Sequence, residues 1–538
     1  DAIWVRPIPD GLFIHFPNDP NSPYCLAILK NVQKIKEAIR HHLYFTLRKT
    51  QNNTTMNDYY FGLAYTVRDC LVEQWIQASK QDNLNNNEKT LYFLSIEFCM
   101  GKQLKMMMIN LGIEDDIYQA AYLVSHFNSP TASVKVLHIM AWHFYKKLFD
   151  IEQYAYGFDE TGYTAGCIIQ SLANMNIATM SYGLRFDQGF FQQQIKDGCQ
   201  KETLNDWLTG QQNPWEIIRS EIIYPVHFYG KTVEKQWIDT EIIHAVAFDS
   251  LIPGYYNQRI NTLRLWTSKI ERKFESKLAT IQDILAQFKA ETTTKDFNLL
   301  PNKASIHLHD DKRDFMFLLT ILELMRLLID QEHLSWNDAW SITTKVVNIK
   351  QYNSRFTMPS SYIKLLTLVL PRNAEIMNEI NVSYYWEENI LPLKQQLFHI
   401  GISHYRWLLK INPDLSDVIA KKIGLKWLLN FGEMKQIETF VDDEIFLNDI
   451  LQAKEANKKR LVFMLENNYG IENINVKSLF YVQLKHIKDY KRHLLNCLCI
   501  ITTYNRMKRD YQDDNSIIIP KTFIFAGKLL GLGLVDTL

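Results

Sequence analysis

The stretch 478–527 holds the pattern that most restricts the fold. "SLFYVQLKHI" (478–487) is rich in strand-favouring residues, and "DYKRHLLNCLCIITTYNRMKR" (489–509) carries an apolar stripe at helical spacing. "SIIIPKTFIFAG" (516–527) reads as a strand again. Strand, helix and strand in this order form a βαβ unit, whose strands run parallel and whose ligands sit at their carboxyl ends. A parallel sheet needs cover on both faces, and one crossover cannot supply it. The domain holding this unit is therefore expected to be incomplete, or completed by a partner.

Upstream, helices are expected over 31–48 and over 58–79, the second with Asp58 as its N-cap. "TLYFLSIEF" (90–98), "IATMSYGLRF" (177–186), "IIYPVHFYG" (222–230), "WIDTEIIHAVAF" (237–248) and "ASIHLHD" (304–310) read as strands, and "TILELMRLLIDQ" (320–331) as a helix. Buried strands mixed with amphipathic helices predict a large α/β protein. Residues 1–30, rich in Pro, Asn and Asp, predict irregular structure.

The 59 basic and 59 acidic residues cancel, which argues against a nucleic-acid or membrane-surface partner. The most apolar predicted helix, 136–149, carries His and Lys, and the first residues have no signal-peptide pattern. Without a secretion route, the sequons at Asn52 and Asn53 carry little meaning. Seven scattered cysteines read as reduced thiols, so the expected location is cytoplasmic.

Within this neutral chain, Lys485, His486, Lys488, Lys491, Arg492 and His493 crowd together, opposed only by Asp489. The cluster falls at a strand end and a helix start, where backbone N–H groups favour an anion, with phosphate the natural candidate. A solvated helix face would look the same. "AGKLLGLG" (526–533) lacks the full dinucleotide-binding pattern, and neither "HH" at 41–42 nor Cys497-x-Cys499 has ligand-spaced partners for a metal. "VDDEIFLND" reads as a solvated helix start. These features alone do not define a function.

Seven colinear segments carry a resemblance: "DYYFGLAYTVRD", "YFLSIEFCMGK", "NPWE", "YPVHFYGK", "IPGYYNQRINTLRLW", "ELMRLLIDQEHLSWNDAW" and "QLKHIKDYKRHLLNCL". In this order they resemble the glycogen (α-1,4-glucan) phosphorylases, from about residue 31 to Lys528. The resemblance implies a GT-B-type α/β glycosyltransferase. It would have an unassigned leader (1–30), a large N-terminal domain (31–399) with internal deletions, and an incomplete Rossmann-like C-terminal domain (400–538). It implies phosphorolysis of a terminal α-1,4-glucosyl unit to glucose 1-phosphate, with α-glucan and phosphate as partners and pyridoxal phosphate as cofactor. By that match Lys485, Tyr490, Lys491, Gly157 and Gly162 contact the phosphates and sugar. Trp407 packs by the cofactor, while Trp75 and Arg264 remain from an allosteric nucleotide site.

The departures are as informative. His486 stands for an arginine, Lys488 for a histidine and Asp489 for a glutamate. The family's Gly-rich loop is "AYGFDETG" (155–162) here, with Asp159 and Glu160 in place of two glycines. Ile400 replaces an asparagine, "IKQYN" (349–353) lacks the sugar-contacting histidine, and "LHDDKRD" keeps only Asp310 of its motif. Ala286 and Gln287 stand where two nucleotide-binding arginines belong, so AMP control is not expected. A short segment between "LRLWTSK" and "LATIQDILAQFK" replaces a long one that includes a helix used between subunits, which puts the family's homodimer in doubt. The cofactor lysine would fall beyond Leu538. The chain alone is expected to be inactive, either as an incomplete phosphorylase or as a non-catalytic relative that binds glucan or another partner.

Overall fold

The computed structural model describes residues 33–50, 53–84, 89–101, 103–114, 116–117, 160–186, 189–196, 199–205, 213–255, 257, 259–267, 273–292, 296–309, 316–349, 360–383, 408–409, 411–428, 431–484, 492–510 and 519–527. The chain forms two compact units, Asp1–Phe190 with Asp206–Ser403, and Phe191–Asn205 with His404–Leu538. The strands are β1 (Thr90–Leu94), β2 (Thr179–Leu184), β3 (Gly189–Lys196), β4 (Cys199–Asn205), β5 (Ile217–Phe228), β6 (Lys231–Val233), β7 (Gln236–Ile238), β8 (Glu241–Pro253), β9 (Ile260–Thr267), β10 (Ala304–Leu308), β11 (Val347–Ile349), β12 (Leu479–Leu484) and β13 (Lys521–Ala526). The helices used below are α1 (Met56–Leu84), α2 (Glu160–Asn174), α3 (Lys273–Glu291), α4 (Met316–Arg326), α5 (Pro371–Ser383), α6 (Glu444–Tyr469) and α7 (His493–Asp510).

The first unit is built on a seven-stranded sheet in the order β11-β10-β1-β2-β9-β8-β5. The strands from β11 to β9 are parallel; β8 and β5 run antiparallel to their neighbours. Central β1 is apolar on both faces because both are covered. Tyr92 and Leu94 join Tyr182, Ile306 and Trp266 in a core under α3 and α4. On the opposite face Leu91 and Phe93 join Leu263, Leu265 and the α2 residues Ile168, Ile169 and Leu172. A third core packs α1 through Tyr60, Phe61 and Val67 against Trp215, Leu251 and Ile260.

The five predicted strand segments upstream all contain strands, and 320–331 is helical, though its last turn, Leu327–Gln331, widens to a π-helix. The cap of α1 needs correction. Thr55, not Asp58, holds the cap position: the Asp58 N–H donates to Thr55 Oγ1 at 3.3 Å, and Asp58 Oδ2 accepts from the Thr55 N–H at 2.8 Å. Reciprocal bonds of this kind place the acid three residues inside the helix, where Lys49 also reaches it at 3.3 Å. Segment 136–149 lies outside the described residues.

In the second unit β12 and β13 pair in parallel, as a βαβ unit requires, with α7 between them in sequence. "VDDEIFLND" starts helix α6 as expected: Asp443 accepts from the Ile445 and Phe446 N–H groups and pairs with Lys422. Gly470 ends that helix in the left-handed region (φ 64°).

Helix α2 approaches the segment after β1 backbone to backbone. The Cys99 N–H donates to the Gly162 carbonyl at 2.7 Å, and a Cβ on Gly166, one turn on, would stand 2.6 Å from the Cys99 carbonyl oxygen. Glycine to alanine inside a helix ordinarily stabilises by about 1 kcal/mol. At Gly166 the sign should reverse, because the obstacle is backbone. Gly166→Ala is expected to destabilise by about 1–3 kcal/mol, read as a lower denaturant midpoint.

Candidate functional site

The sheet's connections reverse direction at β1. The chain passes from β1 through α2 to β2 on one side, and from β9 through α3 to β10 on the other. In open α/β sheets the ligand crevice lies beyond the carboxyl ends of the strands at such a switch. Here that place is formed by Ser95 and Glu97 after β1, His309 after β10, and the start of α2.

Each group is held by its strand. The His309 N–H donates to the Leu94 carbonyl at 2.8 Å, and its ring stacks on Phe93 with centroids 5.8 Å apart. Ser95 Oγ donates to the Glu97 carbonyl at 3.0 Å. Below the edge, Ser305 Oγ lies 3.0 Å from His307 Nε2, and burial, helped by Lys89, pushes that imidazole down to about 4. His307 is therefore neutral at physiological pH.

Gly162, the first candidate, sits in the opening turn of α2. A Cβ there would stand 2.9 Å from Glu97 Cβ and 3.1 Å from Glu97 Oε2. A carboxylate thus faces the first turn of a helix whose first residue is Glu160. Helix N-termini attract anions, and this one is supplied with acid from within the chain. Gly157, Trp407, Lys485, Tyr490 and Lys491 lie outside the described residues, as do Asp159, Asp310 and Ile400.

Arg264 and Trp75 have separate surroundings. Trp75 is half-buried on α1 against the third core. Arg264, on β9, is 5% exposed on the α3 face of the sheet. Its Nε and Nη2 donate to the two carboxylate oxygens of Asp249, each at 2.7 Å, and its Nη1 donates to Asp283 Oδ2 at 2.8 Å. Asp283 Oδ2 also accepts from the Tyr182 hydroxyl at 2.6 Å and Gln287 Nε2 at 2.8 Å, while Oδ1 accepts from the Tyr224 hydroxyl at 3.0 Å. Arg219 extends the row, donating to Asp249 Oδ2 at 3.0 Å. Burial opposes the charge on Arg264, but Asp249 and Asp283 outweigh it and keep the guanidinium protonated. Burial and the nearby Asp283 carboxylate also push the Tyr182 and Tyr224 phenols up.

The sequence reading missed this row of Asp249, Asp283, Tyr182 and Tyr224. An arginine inside the apolar run "TLRLW" was the available signal, since a buried guanidinium needs carboxylates. Removing one partner leaves the others charged and unpaired. Arg264→Met is expected to destabilise the first unit by about 3–5 kcal/mol, seen as a lower thermal midpoint in circular dichroism.

Comparison with known proteins agrees with the motif series. A family model described as carbohydrate phosphorylase matches residues 144–279, 277–391 and 387–530. The muscle form of glycogen phosphorylase from Ovis aries is 31% identical over 621 residues, covering 94% of this chain and 70% of that protein. The Oryctolagus cuniculus muscle form matches to the same extent. The Homo sapiens liver form is 32% identical over 618 residues, covering 93% and 69%. An alignment of 621 positions exceeds the 538 residues here, so the relatives carry segments inside the matched region that this chain lacks. With sheet, motif order and family match in accord, the chain belongs to the carbohydrate phosphorylase family, as a divergent relative of the glycogen phosphorylases.

Proposed function

We propose that this protein engages an α-1,4-glucan on a phosphorylase frame but does not hold the phosphate that phosphorolysis consumes. The reading rests on one observation: the helix start at residues 160–162, which should cradle an anion, opens with Glu160 and has the Glu97 carboxylate against Gly162. Asp159 precedes it in sequence. Each carboxylate within about 4 Å of a phosphate would oppose it by about 4 kcal/mol at an effective dielectric of about 20. Tyr490, Gly157 and Gly162 would then serve the sugar rather than the phosphate.

The family's GT-B architecture supports assigning 31–399 to the N-terminal domain and 400–538 to part of a Rossmann-like C-terminal domain. The parallel pairing of β12 and β13 suits that assignment. Trp407 and 485–491, which the resemblance gives to pyridoxal phosphate, lie outside the described residues, and no step here passes through the cofactor. We read Arg264 as structural, because all three of its nitrogens are already committed to carboxylates. Gln287, in an arginine's place, donates to the same Asp283 instead of offering a cation. Two of the family-model matches meet at residues 277–279, near the shortened segment where we read the subunit-contact helix as lost.

Incubated with glycogen and orthophosphate, the purified chain is expected to release no glucose 1-phosphate above a protein-free blank. It is expected to pellet with glycogen in a sedimentation assay. Glucose 1-phosphate release would overturn the eroded-site reading, and protein left wholly in the supernatant would overturn glucan binding.

A further inference from the structure

The β6–β7 hairpin stands off the seven-stranded sheet on left-handed joints. It leaves at Tyr229 and Gly230 (φ 57° and 73°), turns at Glu234 and Lys235 (φ 49° and 68°), and returns at Asp239 (φ 59°). Gly230 is obligatory, since a Cβ there would fall 2.2 Å from the Ile238 carbonyl oxygen. Only the pairs Lys231–Ile238, Thr232–Trp237 and Val233–Gln236 join its two strands. A ribbon this short is marginal unless something pins it.

The pin is Trp237. Its Nε1–H donates to the Tyr229 carbonyl at 2.6 Å, and its ring packs on the main core. The Arg326 guanidinium carbon lies 5.6 Å from the centre of that ring, and the His227 imidazole centre lies 6.0 Å from it. His227 Nδ1 is 2.8 Å from Thr240 Oγ1, at the hairpin's return. Two charged groups of α4 face the histidine, Arg326 and Glu323. Glu323 is already taken: both of its oxygens accept from Arg326, at 2.6 and 2.8 Å, and one also accepts from Asn373 at 3.1 Å. An imidazolium at His227 would face the Arg326 guanidinium, and among the described residues the carboxylate facing it is Glu323, already bonded to Arg326 and Asn373.

We propose that the hairpin Lys231–Ile238 is an acid-released flap, latched by Trp237 against His227 and Arg326. Helix α4 is core and Arg326 is buried, so the hairpin is the element that yields. Burial, reinforced by Arg326, holds the His227 imidazole below its ordinary value. The sign follows from linkage: the docked flap keeps its full stability above the ordinary imidazole range and loses it as pH falls through that range. The exposed Lys231–Asp239 pair at the hairpin base adds little to oppose release.

Hydrogen exchange read by mass spectrometry at pH 7.5 and 5, corrected for intrinsic rates, tests this. Amides 231–238 should lose protection severalfold on acidification in the parent and not in His227→Gln, with α4 unchanged in both. Equal loss in parent and variant, or none in the parent, overturns the proposal. Exchange at the His227 C2 position in the parent alone gives a second reading: a midpoint below that of free imidazole is expected, and one at or above it also overturns the flap.

Discussion

The first unit depends on one buried carboxylate. Asp283, on α3, accepts from β9 through Arg264, from β2 through Tyr182, from β5 through Tyr224 and from its own helix through Gln287. A charge this deep is tolerated only when every lone pair is used, so the four donors fix where α3 lies on the sheet. The same requirement places Arg264 between Asp283 and Asp249 and ties the antiparallel edge of the sheet to its parallel centre. A network of this kind contributes less net stability than an apolar core of equal volume, but losing one member exposes the rest to their full desolvation penalty.

That network also takes up two residues that the resemblance gives to a nucleotide site. Gln287, where the resemblance would have a nucleotide-binding arginine, is turned into the network, and Arg264 is spent within it. The carboxyl end of β1 is held by backbone packing. Gly162 and Gly166 still let α2 press against the chain after β1, which preserves the frame. That helix starts at Glu160, and Glu97 lies against Gly162.

Much of this frame was legible in the sequence. Apolar runs such as "TLYFL" and the 3.6-residue stripe of "TILELMRLL" announce strand and helix because burial on two faces, or on one, leaves few alternatives. Strand β9 was visible only as a motif, since Asn261, Thr262 and Arg264 break the apolar pattern of a central strand; Asn261 and Arg264 are satisfied by tertiary partners that no local window contains. The cap of α1 was placed three residues late because an aspartate serves equally at the cap or bonding back to it. Gly162 was legible as a site residue from the motif. Its neighbour Glu97 was not singled out, because sixty-five residues of chain separate them and only the fold brings the two together.

Acid at the start of α2 is proposed to exclude phosphate. Titrating orthophosphate calorimetrically into the parent chain and into the Asp159→Gly/Glu160→Gly variant tests it most directly. Saturable binding in the variant with none in the parent is the predicted result. Saturable binding by the parent, as tight as by the variant, would contradict the account.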